Sequence, residues 1–198
     1  MRFVGVDLAG SPKRPTGWAL LDGRTIMVKE LYTDNEILTE TVQACPTLVA
    51  IDAPLTMPRE GALRRADREM RRLGYPVLPP LLPGMKMLTH RAMRLVGNLR
   101  KFGVEVIEIH PTSARRALGM PLKDWDEIQR VFLKLGFCGG WSGRRLSPHE
   151  IDAITAAIVA LLHVCGETQN VGDPSEGVIV LPTPRSWRDF PSGRPPCT

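Results

Sequence analysis

The sequence predicts an α/β fold: a mixed sheet, made of a three-stranded antiparallel meander and parallel strands, with helices on its faces. Three observations predict it. Asp22-Gly23, a dipeptide favoured in two-residue hairpin turns, separates two apolar stretches at 16–22 and 24–31. Compact apolar runs at 47–51 and 104–109 stop at Asp52-Ala53-Pro54 and at Pro111, as buried strands do. The segments between and after those runs repeat their apolar residues at helical spacing.

In order along the chain, Arg2-Phe3-Val4-Gly5-Val6 reads as a first strand ending at Asp7, and the hairpin supplies the next two. Residues 34–45 read as a short helix, and 47–51 as the buried strand before Asp52. Residues 61–73 form a helix with an apolar stripe of Ala62, Leu63, Ala66, Met70 and Leu73. Its other side carries Arg64, Arg65, Arg68, Arg71 and Arg72, and Asp67 at the edge of the stripe is placed to pair with Arg71. Pro76, Pro79, Pro80 and Pro83 make 76–84 a stiff loop, and helix resumes over 86–102. Residues 124–136 are helical. Ser147-Pro148-His149-Glu150 starts the helix at 148–165 with a serine cap, proline at the first position and a capping-box glutamate. That helix has a stripe of Ile151, Ile154, Ile158, Leu161, Leu162 and Cys165. Its four alanines (Ala153, Ala156, Ala157, Ala160) permit close packing on a sheet. Residues 177–181 are a last strand, and the Pro/Arg-rich tail 182–198 is expected to be extended or loosely ordered.

The 198 residues, 43% hydrophobic and 24% charged, fit one globular domain with a sizeable core. No apolar run is long enough for a transmembrane helix, and the N-terminus lacks the apolar segment of a signal peptide, so a cytoplasmic location is expected. The four cysteines are scattered, which predicts neither a zinc site nor a disulfide framework. Cys45 and Cys165 read as small buried residues. The net charge of +5 is unevenly spread: residues 59–101 hold eleven Lys/Arg against three Asp/Glu, and the rest is mildly acidic. Such asymmetry points to a polyanion partner such as nucleic acid, or to no more than a solvated helix face.

The chemistry lies in the acids. Asp7, Asp52 and Glu108 each stand at or near the carboxyl end of an apolar strand, where ligands of open α/β sheets bind. His149 and Asp152, three residues apart, project from one side of the last helix. Carboxylates gathered together repel unless a cation or proton intervenes, and oxygen ligands suit Mg²⁺ or Mn²⁺.

Four blocks carry a family resemblance: Val4-Gly5-Val6-Asp7-Leu8-Ala9, Ile51-Asp52-Ala53-Pro54-Leu55, Glu108-Ile109-His110-Pro111, and the run from His149 to Ala157. With Arg65-Ala66-Asp67-Arg68-Glu69-Met70-Arg71-Arg72-Leu73-Gly74 they resemble the family called domain of unknown function 429, from Met1 to about Leu181. The resemblance implies an RNase H-like domain over 1–181, with a basic, Pro-rich insertion at 59–101, and a nuclease activity. More distantly the acids resemble those of RuvC-type resolvases, with Asp7, Asp52, His149 and Asp152 at matching positions. Asp52 replaces the longer glutamate common there, and residues 59–84 have no counterpart in the plain core and are able to wall off a duplex.

The leading reading is therefore a metal-dependent nuclease, its Mg²⁺ or Mn²⁺ held by Asp7, Asp52 and Asp152. His149 is a ligand or orients water, Glu108 is an alternate or outer ligand, and Arg64, Arg65, Arg68 and Arg72 contact substrate phosphates. Two other readings compete. One is a non-catalytic nucleic-acid or protein binding module. The other is an ATP-dependent phosphotransferase of the actin and sugar-kinase type, on the likeness of Asp7-Leu8-Ala9-Gly10-Ser11 to a phosphate loop.

Overall fold

The computed structural model describes residues 1–190. Its main sheet has five strands: β1 (Arg2–Asp7), β2 (Thr16–Asp22), β3 (Thr25–Leu31), β4 (Leu48–Asp52) and β5 (Val106–Ile109), in the order β3-β2-β1-β4-β5. β1, β2 and β3 form the antiparallel meander, turning at Gly23, whose φ of 60° suits the hairpin. β4 pairs parallel to β1, and β5 parallel to β4. The expected mixed sheet is present.

Alternation along the strands sorts the side chains into two layers. Val4, Val6, Val49 and Ile51 pack with Ile37 of α1 (Asp34–Gln43) and with Leu95 and Leu99 of α3 (Pro83–Lys101). Phe3, Leu48, Ala50 and Ile109 face the other way, onto α4 (Pro111–Ala117), α5 (Trp125–Lys134) and α6 (Pro148–Val164). α6 lies across β1, and every residue from Glu150 to Leu162 except Asp152 is buried. The expected apolar stripe is thus a helix buried nearly all round. Glycine allows it to sit so close: a Cβ on Gly5 would stand 2.0 Å from the Ala153 carbonyl oxygen, and one on Gly17 2.0 Å from that of His149.

Several expectations are corrected. The helix read at 61–73 is α2 (Arg65–Arg72), with Arg64 as its cap residue and Leu73 more than half exposed. Pro83 does not close a loop but opens α3, because proline suits the first helical turn. Pro111 likewise ends β5 and opens α4, a helix the sequence reading missed. A polar strand, β6 (Thr168–Asp173), pairs with β7 (Gly177–Pro182), and α2 packs on this hairpin. The segment after Pro182 is held in place as far as it is described. Arg185 and Trp187 donate backbone N–H groups to the carbonyls of Ala117 and Leu118, and Trp187 and Phe190 join the core. Residues 191–198 lie outside the described residues. Cys45 is exposed with φ 47° and is not the small buried residue expected, whereas Cys165 is half-buried and packs against the core. Among the described residues no helix is long and apolar enough to cross a membrane.

Candidate metal centre

The parallel pairing of β1 and β4 sets Asp7 directly beside Asp52. Both share the strand face of Phe3, Gly5, Leu48 and Ala50, which looks onto α6. Gly17, the partner of Asp7 on β2, leaves room for the first turn of α6, which brings His149 and Asp152 to the two strand ends. The result is a cluster in which one carboxylate oxygen from each of Asp7, Asp52 and Asp152 lies within 4.8 Å of the others. His149 Nδ1 is 2.7 Å from Asp7 Oδ2.

Three acids this close have electrostatic consequences. Burial pushes the Asp52 carboxyl well above its ordinary value, and the charges of Asp7 and Asp152 push the same way against the pull of Arg115. Burial also raises Asp152, again opposed by Arg115. The hydrogen bond to Asp7 raises His149, whose side chain is 45% exposed and reachable by solvent protons. Hard oxygen donors, in excess of the positive charge beside them, match a small divalent ion that takes its ligands at about 2.1 Å. Asp7, Asp52 and Asp152 fit such an ion with slight closure of the cluster.

Arg115 is the residue the sequence reading missed. Its side chain is wholly buried, donates from one terminal nitrogen to Asp152 Oδ1 and to Thr155 Oγ1 (3.1 Å), and lies 5.6 Å from the Trp125 ring centroid. Its signal was the His110-Pro111 step. His110 is the α4 cap, its Nδ1 accepting the Ser113 N–H at 3.3 Å, and Arg115 falls on the first turns of that helix.

Glu108 does not join the cluster. In the β4–β5 register it pairs with Ile51, while Ile109 pairs with Asp52, so Glu108 points to the opposite face of the sheet. There it accepts from Arg64 at 2.6 and 2.7 Å and from the Leu55 N–H at 2.8 Å. Burial raises its carboxyl against the pull of Arg64. Arg64 is therefore no exposed phosphate contact: only 1% of its side chain is accessible, and it is clamped between Glu108 and Asp67. Asp67 is buried with it and does not pair with Arg71, which donates to the Val77 carbonyl. Arg91, part of the basic segment, is also internal, bound to Asp34 and to the carbonyls of Ala9 and Tyr32. Arg65, Arg68 and Arg72 are exposed, although Arg65 pairs with Glu69 and Asp173.

The model of the family described as "Protein of unknown function (DUF429)" matches residues 5–126. No curated protein matches the chain. Among solved structures, the RuvC structure of Thermus thermophilus is 15% identical, with a TM-score of 0.52 over 84% of this chain and 97% of that one. The T. thermophilus RuvC in complex with a Holliday junction substrate is 16% identical, with a TM-score of 0.49 over 79% of this chain and 90% of that one. The likeness to the first of these structures shows the fold, that of the RNase H-like RuvC proteins.

Proposed function

The chain belongs to the DUF429 family, and from that premise and its acidic cluster we propose that it is a metal-dependent nuclease that hydrolyses phosphodiester bonds. One observation carries the reading: three carboxylates from two adjacent strand ends and a facing helix, all within 4.8 Å, with too little positive charge beside them to neutralise the set.

Asp7, Asp52 and Asp152 would hold Mg²⁺ or Mn²⁺, which when bound supplies Lewis-acid stabilisation of phosphoryl charge and an activated water. The protein's own groups do the rest. Arg115 fixes one oxygen of Asp152 and so holds its carboxylate in place. His149 orients Asp7 through Nδ1 and, being part-exposed, is placed to exchange a proton with solvent near the reacting phosphate. Glu108 acts at a distance: through Arg64 and Asp67 it ties α2 to the sheet. Arg65, Arg68 and Arg72 supply exposed positive charge for the phosphates of a nucleic-acid strand.

The test is a panel of end-labelled DNA and RNA substrates incubated with Mg²⁺, Mn²⁺ or chelator, beside an Asp7→Asn control. Cleavage that needs metal and is lost in the control supports the reading. Absence of cleavage across the panel, or cleavage unchanged in the control, overturns it.

A further inference from the structure

Beside the acidic cluster is a cavity of about 170 Å³, and both Asp7 and Asp52 line it. An apolar cavity of about 150 Å³ holds one benzene, so this one has room for a single heterocyclic ring system. Its apolar walls are Leu8, Val77, Leu78, Met85, Leu88 and Ile179. Four of these six come from residues 77–88, the Pro-rich loop and the start of α3, which the closely spaced prolines hold stiff beside the strand ends.

The polar groups around the cavity differ in availability. Arg64, Asp67 and Glu108 reach its lining but bind one another. His110 does not have all its capacity used. Its Nδ1 is engaged by Ser113, at 2.7 Å from Oγ and 3.3 Å from the backbone N–H, whereas Nε2 makes no hydrogen bond among the described residues. The cavity thus offers aliphatic faces and one imidazole for hydrogen bonding next to the carboxylates. A base stacked within a continuous duplex cannot enter such a recess, whereas an extruded or unpaired one can.

The geometry points to a nucleobase site: the cavity receives the base of one unpaired nucleotide while its phosphate lies at Asp7, Asp52 and Asp152. The substrate is then a strand with an unpaired or bulged nucleotide rather than uninterrupted duplex. The placement of the phosphate rests on the nuclease reading, whereas the occupancy of the cavity by a base does not.

Two measurements on the full chain separate these. First, the four ribonucleosides, uncharged and metal-free, are titrated calorimetrically into wild type, Met85→Trp and Leu78→Trp. Met85 is half-buried and Leu78 is 61% exposed, so indole at the second position costs little packing, and thermal melts confirm folding of both. Second, the same proteins are given Mg²⁺ or Mn²⁺ and three labelled substrates: a perfect duplex, the duplex with a one-nucleotide bulge, and the single strand. The expected result is nucleoside binding by wild type, weakened at least tenfold in the folded tryptophan variants. Bulged and single-stranded substrates should be cut at least tenfold faster than duplex, a preference the variants lose. Where wild type cuts at least one substrate, absence of nucleoside binding, equal binding by all three proteins, or equal cleavage of duplex and bulge overturns the base site and leaves the nuclease standing. Nucleoside binding lost in the variants, with no cleavage of any substrate by wild type, supports the base site and sinks the nuclease.

Discussion

Arg115 and Asp152 form an ion pair behind the acidic cluster, the guanidinium wholly enclosed and the carboxylate one-fifth exposed. The pair holds Asp152 beside two other acids. Arg115→Ala would leave Asp152 next to Asp7 and Asp52 with only the part-exposed His149 to compensate, and removing one partner of such a buried pair costs about 3 kcal/mol or more. Chemical denaturation should show that loss. Adding Asp152→Asn should restore part of it, since the orphaned charge is then gone; a double variant no more stable than Arg115→Ala would disconnect the two residues.

Glu108 and Arg64 make a different prediction, because they face away from the cluster. Glu108→Gln should lower stability through its weakened bond to Arg64, yet leave any metal-induced rise in melting temperature unchanged. A variant that lost the metal response would return Glu108 to the metal centre.

These two residues also mark what was legible in the sequence. Asp7 and Asp52 could be read as neighbours because each ends an apolar strand, and parallel pairing sets the two ends in register. Asp152 and His149 followed from their three-residue spacing behind a strong cap. Glu108 also stood near a strand end, but one residue before the position that aligns with Asp52, and a period of two makes that single step a change of face. Arg64 was not legible as a buried residue because nothing local marks α2 as beginning at Arg65 rather than at residue 61. As the cap residue of α2 it does not follow helical periodicity, and its side chain turns inward. Arg115 was hidden because Pro111 was read only as a stop. Gly5 and Gly17 carried a visible signal of close approach, but what approaches them is a helix far along the chain, which no local pattern reports. The polar β6, with Val171 as its one buried residue, offered no strand periodicity.

The acid limb of stability should show His110. Burial and the charge of Arg115 lower its pKa to about 4, from an ordinary value near 6.5. The folded state therefore prefers the neutral ring. This contribution is complete above about 6.5 and is lost as the pH falls towards 4, where the unfolded chain takes up the proton first. Wild type should lose on the order of 3 kcal/mol relative to His110→Asn across that window. Parallel denaturation curves from pH 7 to 4 would show no such group.

The exposed arginines predict a salt dependence. Arg68 and Arg72 lie on the outer side of α2. If each neutralises one phosphate, Arg68→Ala with Arg72→Ala should weaken binding and reduce the log–log salt slope by about 1.8 on duplex DNA. Identical slopes for wild type and the double variant would reduce this face to a solvated surface.

The central claim, a divalent-metal centre at Asp7, Asp52 and Asp152, is tested most directly by the melting temperature of wild type and Asp52→Asn with and without millimolar Mg²⁺ or Mn²⁺. The raised pKa of Asp52 means that its charged form is disfavoured in the fold, so its contribution is lost as the pH rises through the folded value. At neutral pH Asp52→Asn should therefore melt higher than wild type without metal. Metal should raise the melting temperature of wild type, because it binds the folded cluster in preference to the unfolded chain, and should raise that of Asp52→Asn far less. A wild-type melting curve indifferent to both ions, or an equal rise in the two proteins, would contradict the account.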